Sequence, residues 1–285
     1  MIQKPSIWER QPQYPTGLSY LAKQLGVISC VYPCGGYLWD AARLRFVVET
    51  TNGGAAGGLS LSPGVSGQAI VGSNAGGTDV YDCGIYSSYP LNSLTNAVTV
   101  FALVDRIGNA GGTAPILGIF SPSTSPYSSG SLADNWGGGS ILFDCSLGGI
   151  YVSVNGGAGS FQNGLHSYTG VYNGATMAVY RDGLQLNSSA ASGTIGYPSD
   201  AHAAVMNYAS GSLSRTPNAR FFMGFIANTA LPVSLLTQLH VNPWQLFAPI
   251  KRKILLRVAA AAGGLAANPI YGGGAASNPL WGYVV

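Results

Sequence analysis

The sequence predicts an all-β fold, a sandwich or barrel of antiparallel strands. Short apolar, β-branched segments recur at intervals of about 10–20 residues with no helical pattern between most of them, which argues against βαβ units. Two dipeptides, Asn155-Gly156 and Asp182-Gly183, carry the turn chemistry that hairpins need. The composition agrees: 47% of the 285 residues are hydrophobic and 41 are glycine, without the Gly-X-Y period of collagen.

Taken in order, residues 1–16 are rich in Pro and Gln and read as an extended N-terminal arm. Residues 18–25 have room for one or two helical turns. Residues 27–32, Val-Ile-Ser-Cys-Val-Tyr, form the first strand, ending at Pro33, and Gly35-Gly36 turns the chain into Tyr37-Leu38-Trp39-Asp40. Residues 52–77 alternate Gly, Ala and Ser with apolar islands at 59–61 and 69–71, so short strands joined by glycine turns are expected there. Residues 96–104 are the strongest strand, followed by 116–120, 140–143 and 149–154, the last closing on Asn155-Gly156. Residues 175–180 and 184–186 flank the Asp182-Gly183 turn, and 203–208 and 220–226 complete the set.

One helix is expected near the C-terminus. It starts at Leu231-Pro232 and places Val233, Leu236 and His240, and Leu235 and Leu239, at helical spacing. Asn242-Pro243 stops it, because the residue before proline is pushed out of the helical region, and Trp244, Leu246 and Phe247 are then free to pack back on the strands. The organisation read from this is an arm (1–16), a sandwich (17–249) and an extended tail (250–285). The tail repeats a motif, Asn268-Pro269-Ile270-Tyr271-Gly272 and Asn278-Pro279-Leu280-Trp281-Gly282. A chain of that composition has no core in which to bury these side chains, so a partner surface is implied.

Charge is scarce and unevenly placed. Charged residues are 8% of the chain, against about 25% for ordinary soluble domains. Residues 1–250 carry nine Lys and Arg against ten acids, so the net +3 arises from Lys251, Arg252, Lys253 and Arg257. A weakly charged surface favours association, so a homo-oligomer or a subunit of a larger body is expected. The cationic cluster, interleaved with Ile254-Leu255-Leu256, reads as a strand meeting an acidic protein surface rather than nucleic acid. No signal peptide and no membrane span is read. The four cysteines have no CxxC spacing, and Cys30 and Cys34 on one strand would lie roughly 13 Å apart, beyond disulfide reach, so free buried thiols are expected.

Catalytic constellations are not legible. The glutamates are Glu9 and Glu49, neither with a second carboxylate at glycosidase spacing, and Asp79 and Asp82 flank a tyrosine in what reads as a loop. His166, His202 and His240 are scattered without a metal-ligand pattern, and His240 suits the negative end of a helix. GxSxG, Walker and dinucleotide motifs do not occur, so no cofactor or metal is expected. Asp134-Asn135-Trp136 is the exception, read as a Ser/Gly loop: carboxylate and amide suit sugar hydroxyls, and an indole suits the apolar face of a sugar.

The Gly35-Gly36 turn with Asp40-Ala41-Ala42-Arg43, the central strand 96–104, the hairpin over residues 172–183 and above all the helix followed by Asn242-Pro243-Trp244-Gln245-Leu246-Phe247 resemble the phage-encoded laminin G-like, concanavalin A-like jelly-roll proteins. The resemblance spans roughly residues 15–253. It implies two facing antiparallel sheets with one short C-terminal helix. Its members include glycan-binding modules, adhesins, glycosidases and virion structural parts, so it does not by itself assign a function. The expectation drawn is a non-enzymatic tailed-phage virion protein, folded in the host cytoplasm and partnered by other capsid or tail subunits. Its first form is a capsid decoration protein held through the terminal arms, with Lys251, Arg252, Lys253, Arg257, Ile270, Tyr271, Leu280 and Trp281 as contacts. The alternative is a receptor-recognition module of a tail fibre or spike, taking host glycans at a rim of Asp134, Asn135 and Trp136.

Overall fold

Strand β7 (Val98–Arg106) shows how the body is built. Its side chains alternate as a strand requires, yet both faces are buried: Val98, Val100, Ala102 and Val104 enter one apolar cluster, Phe101 and Leu103 another. A near-continuous apolar run with layers on both sides gives the chain three layers: a second sheet on one face of β7 and helices on the other.

The computed structural model describes residues 11–51, 59–64, 67–72, 79–85, 96–108, 113–120, 128–135, 139–197, 202–206, 216–248, 254–256 and 280–282. The chain divides into two compact units, Met1–Ala248 and Pro249–Val285. In the first, α1 (Tyr20–Gln24) precedes β1 (Val27–Cys34), β2 (Tyr37–Asp40), β3 (Arg45–Thr51), β4 (Leu59–Gly64), β5 (Gly67–Gly72) and β6 (Asp79–Ile85). After β7 come β8 (Ala114–Phe120), β9 (Ser128–Asn135), β10 (Ser140–Leu147), β11 (Ile150–Asn155), β12 (Gly164–Tyr172), β13 (Thr176–Arg181), β14 (Leu184–Ala190), β15 (His202–Val205) and β16 (Ala219–Ala227). The helix α2 (Val233–Val241) and a 3-10 turn (Pro243–Leu246) close the unit.

All pairings are antiparallel. One sheet runs β2-β1-β16-β7-β12-β13-β14 and the facing one β11-β10-β9-β8-β15-β6-β3, joined where β2 pairs β3. The β4–β5 hairpin attaches through β5 to β16. Between the sheets lie Ile116, Ile119, Ile141, Phe143, Tyr168, Tyr172, Met177 and Val179, all fully or almost fully buried. The sheets approach closely at Gly170, where a methyl group would fall on the Phe143 ring across the sandwich. Gly170→Ala is expected to lower stability by about 1–3 kcal/mol in urea unfolding. A wild-type midpoint would show that this face is looser than described.

The outer face of the β7 sheet is capped. Cys30, Tyr32, Phe101, Phe222, Phe225 and Tyr180 lie beneath Leu236 and Leu239 of α2 and beneath Trp244, Leu246 and Phe247. Residues 11–16 also run against the body: Thr16 N–H donates to the Tyr32 hydroxyl at 3.0 Å, and Trp39 Nε1 donates to Thr16 O at 2.8 Å.

Turn chemistry explains most boundaries, with three differences from the sequence reading. Strand β1 continues through Pro33, which pairs with Leu38, because β16 stops at Val31 and a missing N–H costs nothing beyond that point. The Asn155-Gly156 hairpin does not form. The turn after β10 is Gly148-Gly149, both with positive φ, and Gly156 instead donates its N–H to Ile141 O as the chain leaves for the other sheet. Gly35-Gly36 and Asp182-Gly183 form two-residue turns as expected, each with both φ positive. Pro232 is the N-cap of α2 rather than its first helical residue. Cys30, Cys34 and Cys145 are buried and free.

In the second unit, β17 (Ile254–Leu256) pairs with β18 (Leu280–Gly282), Leu255 opposite Trp281. The strand expected at Ile254–Leu256 is present, its backbone laddered to Leu280–Gly282 of the same chain.

Candidate functional site

One end of the sandwich brings together a group of charged and amide side chains. Strands β7, β9 and β13 finish there and β10, β12 and β16 begin, a direct consequence of antiparallel pairing: Arg106 is opposite Gly164 and Ala219, and Asn135 is opposite Ser140. Arg106 stands at the centre. Its guanidinium lies 5.1 Å from the Phe161 ring centroid and donates to Asn163 Oδ1 at 3.4 Å. Gly139 has φ 55°, and a Cβ there would come within 2.6 Å of the Arg106 guanidinium, so a larger residue would displace that group. Phe161 N–H donates to Gly139 O at 2.8 Å, and Phe161 meets Tyr168 edge-on at 4.9 Å. Tyr168 anchors the loop between β11 and β12, its hydroxyl accepting from Gln162 N–H at 3.0 Å; burial pushes this phenol well up. Gln162 and Asn163 are exposed beside it.

Next to this lies a clamp of three titratable groups. Asp182 occupies the first position of the β13–β14 turn with φ 54°, a conformation Asp tolerates better than most residues. Its Oδ1 accepts from Ser167 N–H at 3.0 Å, its Oδ2 lies 2.6 Å from His166 Nδ1, and His240 Nδ1 of α2 lies 3.3 Å from Oδ1. Burial alone raises the Asp182 carboxyl, but the bonds from His166 and Ser167 and the His166 and His240 charges outweigh it and hold the group below its usual range. Ser167, His240 and Asp182 include the residue types of a catalytic triad without its geometry. The Ser167 hydroxyl lies 3.1 Å from His240 Nδ1, the same nitrogen that faces Asp182, and Ser167 is 1% exposed. A relay needs opposite ring nitrogens and a reachable hydroxyl.

Two of the expected rim residues, Asp134 and Asn135, fall at this end, in a strand rather than a loop. Asp134 and Asn135 close strand β9, Asp134 buried at 1% exposure and Asn135 half-buried, accepting from Thr113 Oγ1 at 3.4 Å. Trp136 lies outside the described residues, as do Lys251, Arg252, Lys253, Arg257, Ile270 and Tyr271. Leu280 and Trp281 lie in β18. Asp79 and Asp82 are in strand β6 rather than a loop. Sequence reasoning missed Arg106, Gln162, Asn163, His166 and Asp182 as a group. The one available signal was Asp182-Gly183, which puts a carboxylate at a hairpin tip; the approach of His166 and His240 comes from segments 74 residues apart.

No family model matches the chain, and no curated protein matches it. Solved structures do. Domain 4 of the arabinanase AbnA from Geobacillus stearothermophilus, solved in complex with arabinotriose, superposes with a TM-score of 0.54 at 14% identity, over 75% of this chain and 98% of that one. The fold is a jelly-roll sandwich. The binding domain of Paraclostridial Mosquitocidal Protein 1 superposes with a TM-score of 0.55 at 10% identity, over 77% of this chain and 52% of that one. The Trypanosoma rangeli sialidase in complex with sialic acid gives 0.55 at 14%, over 83% and 37%. The chain thus spans about half of the toxin domain and little more than a third of the sialidase.

Proposed function

We propose that the body of this chain is a non-catalytic glycan-binding module whose ligand seats on the rim around Arg106. The observation that carries this reading is the rim itself. In a chain with 8% charged residues, amide, imidazole, guanidinium and carboxylate groups from Asn135, Gln162, Asn163, His166, Arg181 and Asp182 collect at one end of the sandwich. Planar polar groups held by a rigid sheet are what a saccharide's hydroxyls require. The likeness to nearly the whole length of a domain solved with arabinotriose supports the same reading.

The finer form is receptor recognition on a tail fibre or spike, motivated by the resemblance of the ending at residues 231–253, with host glycan as ligand. It takes precedence over capsid decoration because the rim and the arabinotriose-bound domain bear on glycan binding, whereas the decoration reading rests on residues 250–285. Those residues remain the proposed attachment to other virion subunits.

A glycan array with the full chain tests the proposal. Saturable binding is expected, reduced about tenfold or more in Asn163→Ala and in Trp136→Ala. No saturable binding to any glycan, or wild-type binding in both variants, overturns it.

A further inference from the structure

We propose that His166 is the residue of this rim that contacts the glycan and selects it by protonation state, its Nε2 being the recognising atom; this rests on the glycan reading above. The imidazole is fixed at one nitrogen, and among the described residues no hydrogen bond engages the other. Nδ1 lies 2.6 Å from Asp182 Oδ2. Facing a carboxylate, Nδ1 must carry the hydrogen, so in the neutral ring Nε2 is a bare acceptor. Asp182 is itself held by Ser167 N–H and by His240, so the ring has a supported orientation rather than a free one.

The open side is defined by glycine. A Cβ on Gly164, the exposed first residue of β12 with φ 97°, would sit 3.9 Å from His166 Nε2. A larger side chain at 164 would lean over that nitrogen, and glycine places nothing there. Exposed Gln162 and Asn163 precede it in the chain, so Nε2 shares its surface with two amides.

The charged neighbours are accounted for. Asp182 approaches from the β13–β14 turn with His240 of α2 behind it, the Tyr168 ring stands 6.1 Å away, and Arg181 is turned to Ser160 O at 3.2 Å. Arg106 of β7 bonds Asn163, and Asp105 of β7 is bound to Arg220 of β16 at 2.8 Å. Asp182 is therefore the carboxylate on His166, and it is on the Nδ1 side.

The chemistry follows. A neutral His166 accepts a hydrogen bond from a saccharide hydroxyl. Protonated, it donates from Nε2, and a carboxylate-bearing sugar, a uronic or sialic acid, gains a charge-assisted bond that a neutral sugar does not. Protonation of His166 should therefore shift the rim from neutral toward acidic glycans, a preference to be compared at two measurement pH values, about 8 and about 5.

Two measurements test this. Imidazole 15N NMR of the free protein at the alkaline end, assigned with His166→Gln and His240→Gln, should show His166 with Nε2 unprotonated. Arrays of neutral and carboxylate-bearing oligosaccharides at both pH values should show the acidic-to-neutral preference rising about tenfold in wild type and staying flat in His166→Gln. An Nε2–H tautomer, or a His166→Gln protein that keeps the pH-dependent preference, overturns the inference while leaving glycan binding standing. Absence of any glycan binding, with the Nε2-bare tautomer observed, overturns the glycan reading and this role with it.

Discussion

Replacing Asp144 with asparagine is expected to stabilise the protein at pH 8 by up to about 4 kcal/mol and to leave stability near pH 4 unchanged. Asp144 lies in β10 on the outer face of the second sheet, opposite Ser131 and Ser153, and is 3% exposed. Burial pushes its carboxyl from 3.8 up to about 7, and hydrogen bonds from Tyr151 and Ser131 offset only part of that rise. Among the described residues Oδ1 has no hydrogen-bond partner. The folded state thus binds a proton that the unfolded chain has released above pH 4. The stability tied to this group is fully present below the unfolded value near 3.8 and is lost as pH rises toward 7, with no further loss above. Asparagine keeps a neutral amide in the same place at every pH. Guanidinium unfolding of both proteins at several pH values reads this as a slope between pH 4 and pH 7 in wild type that the variant lacks. Parallel profiles would show that Asp144 is ionised in the folded protein and that a water or ion satisfies it.

Trp244→Ala is expected to cost about 3–5 kcal/mol, the range for removing a buried large aromatic. Trp244 is 5% exposed, stacks on Phe247 at 6.0 Å, and Phe247 in turn meets Tyr32 edge-on at 4.6 Å. The same turn pins the chain's two ends of the body together: Ser19 N–H donates to Leu246 O and Ala248 N–H to Gly17 O, both at 2.8 Å. Truncation leaves a hole over Phe222 and Phe225 that the rigid sheet cannot fill by relaxing. Among the described residues the buried indole N–H has no acceptor, so the expected effect is one of packing. Tyr20→Ala, at a site 78% exposed, should change stability by no more than about 0.5 kcal/mol. Equal effects at the two positions would mean that the 3-10 turn does not cap the sheet.

Local chemistry made much of the fold legible. Positions that need positive φ advertise themselves as glycine or Asp-Gly, so the turns at 35–36 and 182–183 could be read directly. Asn155-Gly156 misled because the dipeptide permits a tight turn without requiring one; the preceding Gly148-Gly149 lets β10 pair with β11 before Asn155 is reached. Strands β9 and β6 read as loops because serine, glycine and aspartate are poor strand formers, and only pairing with β8 and β10, or with β3 and β15, makes them strands.

What the sequence by itself determined is the class of fold, the position of the one well-formed helix and its stop at Asn242-Pro243, because those depend on the period of apolar residues and on backbone sterics between neighbours. What only the tertiary structure decided is the rim. Arg106, Asn163, His166, Asp182 and His240 come from the end of β7, the loop before β12, the start of β12, a turn and a helix, and no local rule brings them together. Their convergence depends on the register of β7, β12 and β13 and on where α2 docks, both set by burial of the two apolar clusters and not by the polar residues that end up side by side.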